Sequence, residues 1–572
     1  MKAILKRAAV LALGMQLATG PVFADVSAGA YLAGRQARYD ADFKAAVTYF
    51  TRALARDAGN PALMESTVLA YLSLGQVDRA LPIARKMEAD GFKSQISQMV
   101  LLADDVARQD YDALLNRIAE ERGIGSLVDG LVGAWAELGR GAMSDATAAF
   151  DKVSEESGQR AFGLYHKALA LALVGDLESA EEIFSASGPG SAVQTRRGVI
   201  ARIQVLSQLE KRELALKVLE TSFGATLDPE LRAMRDALVV GETLPFDVIG
   251  SPRDGMAEVL YSVAGALRGE ARDTDTLLFS RLAQYLRPDH VDAILLSAEL
   301  LEQMGQFDAA TETYRLVPRD HSAFHAAELG RAEALREAGK TDAAIEVLQQ
   351  LAATNGDLPA VHTTLGDLMR TLDRFEEGVA AYDRALALYQ SPDPSHWFLY
   401  YARGICHERV GDWPKAEADF RKALEIQPGR PEVLNYLGYS LVEKQQDLTE
   451  ALEMIEQAAA ARPDSGYIID SLGWVLYRLG RYDEAVAHME RATELMPVDP
   501  VVNDHLGDVY WAVGRHLEAE FQWKRALSFV GLGEAAEDAK PDRIRRKIEV
   551  GLDAVLVEEG EAPLKVTDTD RE

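Results

Sequence analysis

Apolar residues recur at helical spacing through most of the chain, and one stretch shows the pattern clearly. Ile469, Leu472, Gly473 and Leu476 share one face of a predicted helix. Gly480 follows where a helix C-cap needs a backbone free to take positive φ. A second helix then presents Ala485, Met489 and Ala492 to the first, and Pro497 ends it, because proline cannot continue a helix. The same arrangement returns along the chain. Gly404, Gly438, Gly473 and Gly507 are spaced 34, 35 and 34 residues apart, and Ala416, Ala451, Ala485 and Ala519 are spaced 35, 34 and 34 apart. Pro428, Pro463 and Pro497 close three of the units. A helical hairpin repeated at this period buries its apolar face only against its neighbours, so the units form one cooperative rod.

A repeat of about 34 residues with these marks resembles the tetratricopeptide repeat (TPR). The expected fold is therefore all-α, a TPR superhelical solenoid of roughly 11 to 13 hairpins in two halves. The marks persist upstream in weaker form. Gly305 with Ala310, Gly339 with Ala344, and Gly366 with Tyr382 give three units; Gly34 with Phe50, Gly75 with Ala80, and Gly175 with Phe184 give others. Residues 95–160 read as helical but degenerate. Residues 241–255 carry Pro245, Pro252 and three glycines, so a regular helix is not expected there. The predicted organisation is a signal peptide at 1–24, a degenerate array at 25–240, a linker or hinge at 241–255, and the main array at 256–530. A capping region at 531–557 follows, in which Pro541 opens a helix with Ile544, Ile548, Leu552 and Val555 on one face. Residues 558–572 complete it as a disordered acidic tail.

Composition sharpens the picture in two respects. The 572 residues carry a net charge of −29, which repels phosphate backbones and argues against nucleic-acid binding. The start of the chain has the form of a secretory signal: Lys2, Lys6 and Arg7, an apolar run, then Val22-Phe23-Ala24, with cleavage expected after Ala24. The run is interrupted by Gly14, Gln16 and Gly20 and is shorter than the roughly 20 residues of a spanning helix. A periplasmic or secreted location is therefore expected, with no transmembrane segment and with peripheral membrane association left open. Cys406 is the only cysteine, so no intrachain disulfide is available.

Candidate catalytic patterns fail on context. Residues 334–341, ALREAGKT, match a permissive phosphate loop, but they fall between two helices of a repeat rather than after a strand. Residues 531–536, GLGEAA, imitate a dinucleotide loop without a preceding strand. His321 and His325 have the spacing of a metal pair on one helix, yet no cysteine or HExxH arrangement accompanies them. Cys406 occupies a packing position, and its neighbours His407 and Glu408 point elsewhere. The basic cluster Arg543, Arg545, Arg546 and Lys547 reads as a solvated face of the terminal helix. The expectation is a non-enzymatic chain without cofactor or metal; the alternative of another class is an enzyme with its site inside 95–160 or 241–255.

One feature exceeds what hairpin packing requires. Asp470, Trp474 and Tyr477 align on a second face of their helix. Their counterparts are Tyr401, Asn435 and Tyr439 upstream, and Asp504, Asp508 and Trp511 downstream. The TPR resemblance places this face in the concave groove, where aromatics give contact area and acids fix orientation. Partners presenting basic and apolar protein segments are expected. The run of residues 397–530, with LNYLGYSLVE, IIDSLGWVLYRLG and VNDHLGDVYWAVGR, resembles a bacterial envelope TPR family. That family includes a lipoprotein adaptor of a periplasmic carboxyl-terminal processing protease. The resemblance implies an exported scaffold or adaptor for envelope proteins, with a protease and its substrates as one form and polysaccharide-export or envelope-machine assembly as the alternative. The sequence departs from that family in lacking a lipidation cysteine near the expected mature N-terminus.

Overall fold

The computed structural model describes residues 26–186, 188, 190–192, 195–224, 227–389, 393–530, 539–561 and 564. The expected signal peptide, the 531–536 loop and nearly all of the chain beyond 561 lie outside the described residues. Among those described, 31 α-helices and no strands occur. Many begin with a proline at the first helical position, as at Pro359, Pro431 and Pro500. There the missing N–H costs nothing and the fixed φ is already helical. Turns between paired helices use positive φ at Gly305, Gly339, Gly411, Gly480 and Gly514. Residues 95–160 form hairpins as regular as the rest, with helices Gln95–Ala107, Tyr111–Ala119, Ser126–Gly139 and Met143–Glu155.

Within many hairpins one contact recurs. A glycine of the first helix receives a large side chain of the second, about sixteen residues later: Gly34 meets Phe50, Gly366 meets Tyr382, Gly404 meets Phe420 and Gly507 meets Trp523. A Cβ at Gly34, Gly366 or Gly404 would approach the opposing ring to 2.7–2.8 Å, well inside van der Waals contact. Phe50, Tyr382, Phe420 and Trp523 are all fully buried. Gly438 receives Ile455 and Gly473 receives Met489 in the same way.

The chain divides into two compact units, residues 1–351 and 352–572. The expected hinge at 241–255 therefore lies inside the first unit. Residues 242–251 are non-helical, as their prolines and glycines predict, but Leu244, Val248 and Ile249 are buried, and a helix begins already at Pro252. The reason is an ionic cluster around Glu258, which is fully buried. Arg197 donates to both its oxygens at 2.9 and 3.0 Å, Tyr165 donates at 2.9 Å, and His290 Nε2 lies at 3.2 Å. Because His290 Nδ1 accepts from the Ala293 amide, its Nε2 carries the hydrogen that faces Glu258. Arg197 also donates to Asp292 at 2.5 Å and to the Val248 carbonyl at 3.1 Å, which fixes the connecting segment to the array. Burial would push the Glu258 carboxyl up, but Arg197 and His290 together hold it well below the usual carboxylate range. Gly255 seats on the indole of the buried Trp135, and Arg281 donates to the Ser73 carbonyl and to Thr313. Residues 252–317 thus pack back onto the N-terminal hairpins. Phe43 shares a core with Leu277, Ile294 and Leu301.

The second unit runs through the hairpins from Pro359 to Phe529 and ends in two short helices, Pro541–Val550 and Leu552–Glu559, broken at Gly551 with φ +82°. Ile544, Leu552 and Val555 are buried and Ile548 partly so, on two helices rather than on the single one expected. Two further expectations are corrected here. Glu558 and Glu559, assigned to a disordered tail, belong to the last helix, held by ion pairs from Arg546 and Arg543. Lys547, assigned to a solvated face, is 0% exposed, because it inserts between two carboxylates described below.

Two outcomes follow from this packing. Gly507→Ala should lower the urea stability of the second unit by about 1–3 kcal/mol, because a rigid indole cannot yield and overpacking outweighs the gain of about 1 kcal/mol in helix propensity. Gly473→Ala, facing the flexible Met489, should stay within about 1 kcal/mol of the parent. In the first unit, Glu258→Ala should cost about 3–5 kcal/mol in chemical denaturation, since it leaves Arg197 buried without its main partner.

Candidate functional site

Five first helices of the second unit, Pro359–Thr371, Trp397–Arg409, Pro431–Glu443, Gly466–Arg478 and Pro500–Ala512, carry the predicted groove residues or flank them. The structure separates those residues into two groups. In the C-terminal group the side chains are consumed by contacts with the following hairpin. Asp470 is buried and accepts from His505 Nδ1 at 2.9 Å. The indole of Trp474 is sandwiched between Tyr477, with centroids 4.8 Å apart, and His505, at 4.0 Å. Its Nε1 donates to Glu443 at 2.8 Å. Asp504 and Asp508 both accept from Lys547 Nζ at 2.6–2.9 Å, and Asp508 also accepts from Trp523 at 2.9 Å. Trp511 donates to Asp553 at 2.9 Å and lies over Gly551. These six residues are therefore not surplus to the scaffold. Ten or more residues of the Gly466–Arg478 helix are buried because it packs both its own hairpin and the next one.

The N-terminal group differs. Tyr401 is half-buried, edge-on to Tyr436 at 5.9 Å and tilted against Trp397 and Phe420. Burial, with Tyr467 and Glu432 nearby, pushes its hydroxyl up to about 12. Tyr439 is half-buried and packs against the core of the unit. Asn435 is only 8% exposed, yet its Oδ1 has no hydrogen-bond partner. In the same unit Glu432 Oε2, Ser465 Oγ, Arg430 Nε and Arg370 Nε are likewise buried without a hydrogen-bond partner. Arg430 stacks its guanidinium on Trp397 at 3.9 Å, an arrangement that holds the head in place without using its Nε–H. At the equivalent first-turn positions of adjacent helices, Phe398 and Tyr467 stay 37% and 48% exposed. Buried polar atoms are normally paired, and each one left alone carries a desolvation penalty of about 1–3 kcal/mol. Phe398 and Tyr467 leave two rings partly open on the helices that flank Asn435.

Periodicity identified Tyr401 and Asn435 but not Phe398, Arg430, Glu432, Ser465 or Tyr467. Phe398, Glu432 and Tyr467 share the repeat spacing of 34 and 35, and that register was the available signal. Other candidates are accounted for locally. His325 Nδ1 pairs with the Ser322 carbonyl and His321 Nδ1 accepts from the Ala323 amide. Among the described residues no cluster of His, Cys, Asp and Glu could hold a metal ion. Cys406 is buried against Gly378, and that burial pushes its thiol up to about 11, which keeps it in the neutral, unreactive form.

The joint at His505 gives a pH test. Burial pushes the imidazole down, but Asp470 outweighs it, and the net effect is a value raised above the ordinary 6.5. A raised histidine stabilises the fold fully below its unfolded value, and that contribution is lost as pH rises through the folded value. His407 and His488, lowered by burial, act in the opposite sense, so the comparison is with a variant. Between about pH 6 and about pH 9, the urea midpoint of the wild type should fall relative to that of His505→Gln.

Family profiles described as tetratricopeptide repeat match residues 357–428 and 430–497, and residues 31–92, 282–359 and 471–527, together more than half of the chain. A TPR repeat-containing protein of Pseudomonas aeruginosa is 29% identical over 163 residues, 28% of this chain and 27% of that protein. The E3 ubiquitin-protein ligase CHIP of Arabidopsis thaliana is 28% identical over 116 residues, 20% of this chain and 39% of that one. The chain thus spans well under half the length of these relatives. Among solved structures, the APC/C hetero-tetramer Cut9–Hcn1 is 16% identical with a TM-score of 0.37, covering 92% of this chain and 97% of that one. Yeast Tom70 is 14% identical with a TM-score of 0.33, covering 93% and 98%. With the hairpins, their glycine contacts and these profile matches in hand, the chain belongs to the tetratricopeptide-repeat family.

Proposed function

We propose that this protein is an exported scaffold that receives a segment of another envelope protein in the open stretch of groove bounded by Phe398, Tyr401, Arg430, Glu432, Asn435 and Tyr467. Its fold is a TPR scaffold suited to protein binding. The single observation that carries the finer reading is the pair of partly open rings, Phe398 and Tyr467, at one repeat register on the helices that flank Asn435. The rings add contact area at small entropic cost, and the acidic balance of the chain favours a segment with basic side chains. The N-terminal Lys2, Lys6 and Arg7 followed by an apolar run supports export, and the resemblance of residues 397–530 to the envelope TPR family supports a partner there. Presentation of substrates to a processing protease is the form of this role that the resemblance favours.

Two measurements test the reading. A photo-crosslinking residue at Tyr467 should capture a discrete protein in exporting cells, and Asn435→Ala with Phe398→Ala should reduce that capture by about tenfold, equivalent to about 1.4 kcal/mol. Thermal stability should stay nearly unchanged, because the alanine at 435 removes an acceptor that has no partner to lose. Unchanged capture in a folded double variant would overturn the site. Sequencing of the protein recovered from the cell envelope should start at Asp25; an intact Met1 in a cytoplasmic fraction would overturn export.

A further inference from the structure

The downstream end of the same groove is filled by the chain itself, and the manner of filling describes a ligand. Helix Pro541–Val550 lays Ile544 into the core and drives Lys547 between Asp504 and Asp508, with Arg543 Nη1 3.5 Å from Asp508. Two carboxylates face one buried ammonium and one guanidinium, which also pairs with Glu559. An apolar residue at position 547, facing apolar neighbours, would fasten a permanent cap at least as firmly, since a buried ion pair seldom exceeds the stability of a hydrophobic replacement. What the lysine adds is recognition of the two acids.

Three further features mark this helix pair as an occupant rather than a repeat. Eleven residues separate Phe529 from Pro541, whereas four separate the helices at each of the three preceding hairpin joints. The pair buries five residues, Ile544, Lys547, Leu552, Val555 and Leu556, against eleven in the 13-residue helix Gly466–Arg478. Finally, the two terminal helices are tied to each other by Arg543–Glu559 and Arg546–Glu558, besides their contacts with the array. An element with few buried residues stands at the low-stability end of a fold.

We infer that residues 541–559 are a displaceable internal ligand, and that the groove at Asp504, Asp508 and Trp511 accepts a basic amphipathic helix of a partner protein in their place. The ligand class follows from the occupant: a lysine reaching the Asp504–Asp508 pair, an arginine four residues before it, and apolar residues beside it as at Ile544 and Ile548. Opening this end extends the surface at Tyr401 and Asn435 downstream. The inference rests on the groove reading above for its continuity but is tested separately from it.

The probe is a synthetic peptide with the sequence of residues 540–561, titrated into the full chain. Lys547→Glu places three acids together and should expel the internal helix, so that this variant binds the peptide about tenfold or more tighter than wild type. Adding Asp504→Asn and Asp508→Asn to that variant should abolish the binding. In wild type, hydrogen exchange of amides 541–559 should proceed through local opening, faster than exchange in 500–512. A folded Lys547→Glu chain without saturable peptide binding would overturn the inference. So would wild-type protection of 541–559 equal to that of 500–512, a reading that needs no variant. Crosslinking through Tyr467 reports on the open stretch alone, so its result stands whichever way this one falls.

Discussion

Many of the hairpins depend on one close approach: a helix without a side chain at its midpoint receives a bulky residue from its partner. Gly404 with Phe420 and Gly507 with Trp523 show the geometry. The glycine carries a helix-propensity cost of about 1 kcal/mol, and burial of a complete aromatic ring offsets it severalfold. Because the ring enters from the second helix, the pair cannot rotate or slide without losing it. The face that each hairpin turns to its neighbour is thereby fixed, and the array, the groove and the terminal cap all inherit their register from that contact.

This contact is short-range in sequence, which is why so much of the fold could be read from spacing alone. Gly366 with Tyr382 and Gly473 with Met489 announce their hairpins within 16 residues. The site was less legible for the same physical reason. Whether Asp470 or Asp508 is available to a ligand depends on His505 and Lys547, which lie 35 and 39 residues away on another element. Periodicity reveals that a residue has no partner in its own hairpin; it is silent about the next one. Residues 241–255 illustrate the limit again. Their prolines correctly excluded helix over most of the segment, but the burial of Val248 and Ile249 hangs on Arg197 and on Glu258, 61 residues beyond that arginine.

The two units resolve their buried charges differently. In the first, Glu258 is surrounded by Arg197, His290 and Tyr165, and its full complement of donors leaves nothing for a ligand. In the second, buried charges are paired across the hairpins, as Asp470 with His505 and Asp508 with Lys547, while Asn435 Oδ1 and Glu432 Oε2 stay without a partner. The difference lies in whether the last hydrogen bond is closed internally.

The joints of the second unit also bear on how such an array can change over generations. Repeat proteins commonly grow or shrink by copying whole units, because identical seams accept any neighbour. Here the seams are individual: Glu443 meets Trp474, Asp470 meets His505, and Asp504 with Asp508 meets Lys547. A duplicated or reordered hairpin would bring an aspartate to a surface with no cation to receive it. These repeats behave as an ordered set of locks and keys, so their succession is as much a part of the protein's information as the residues within any one of them.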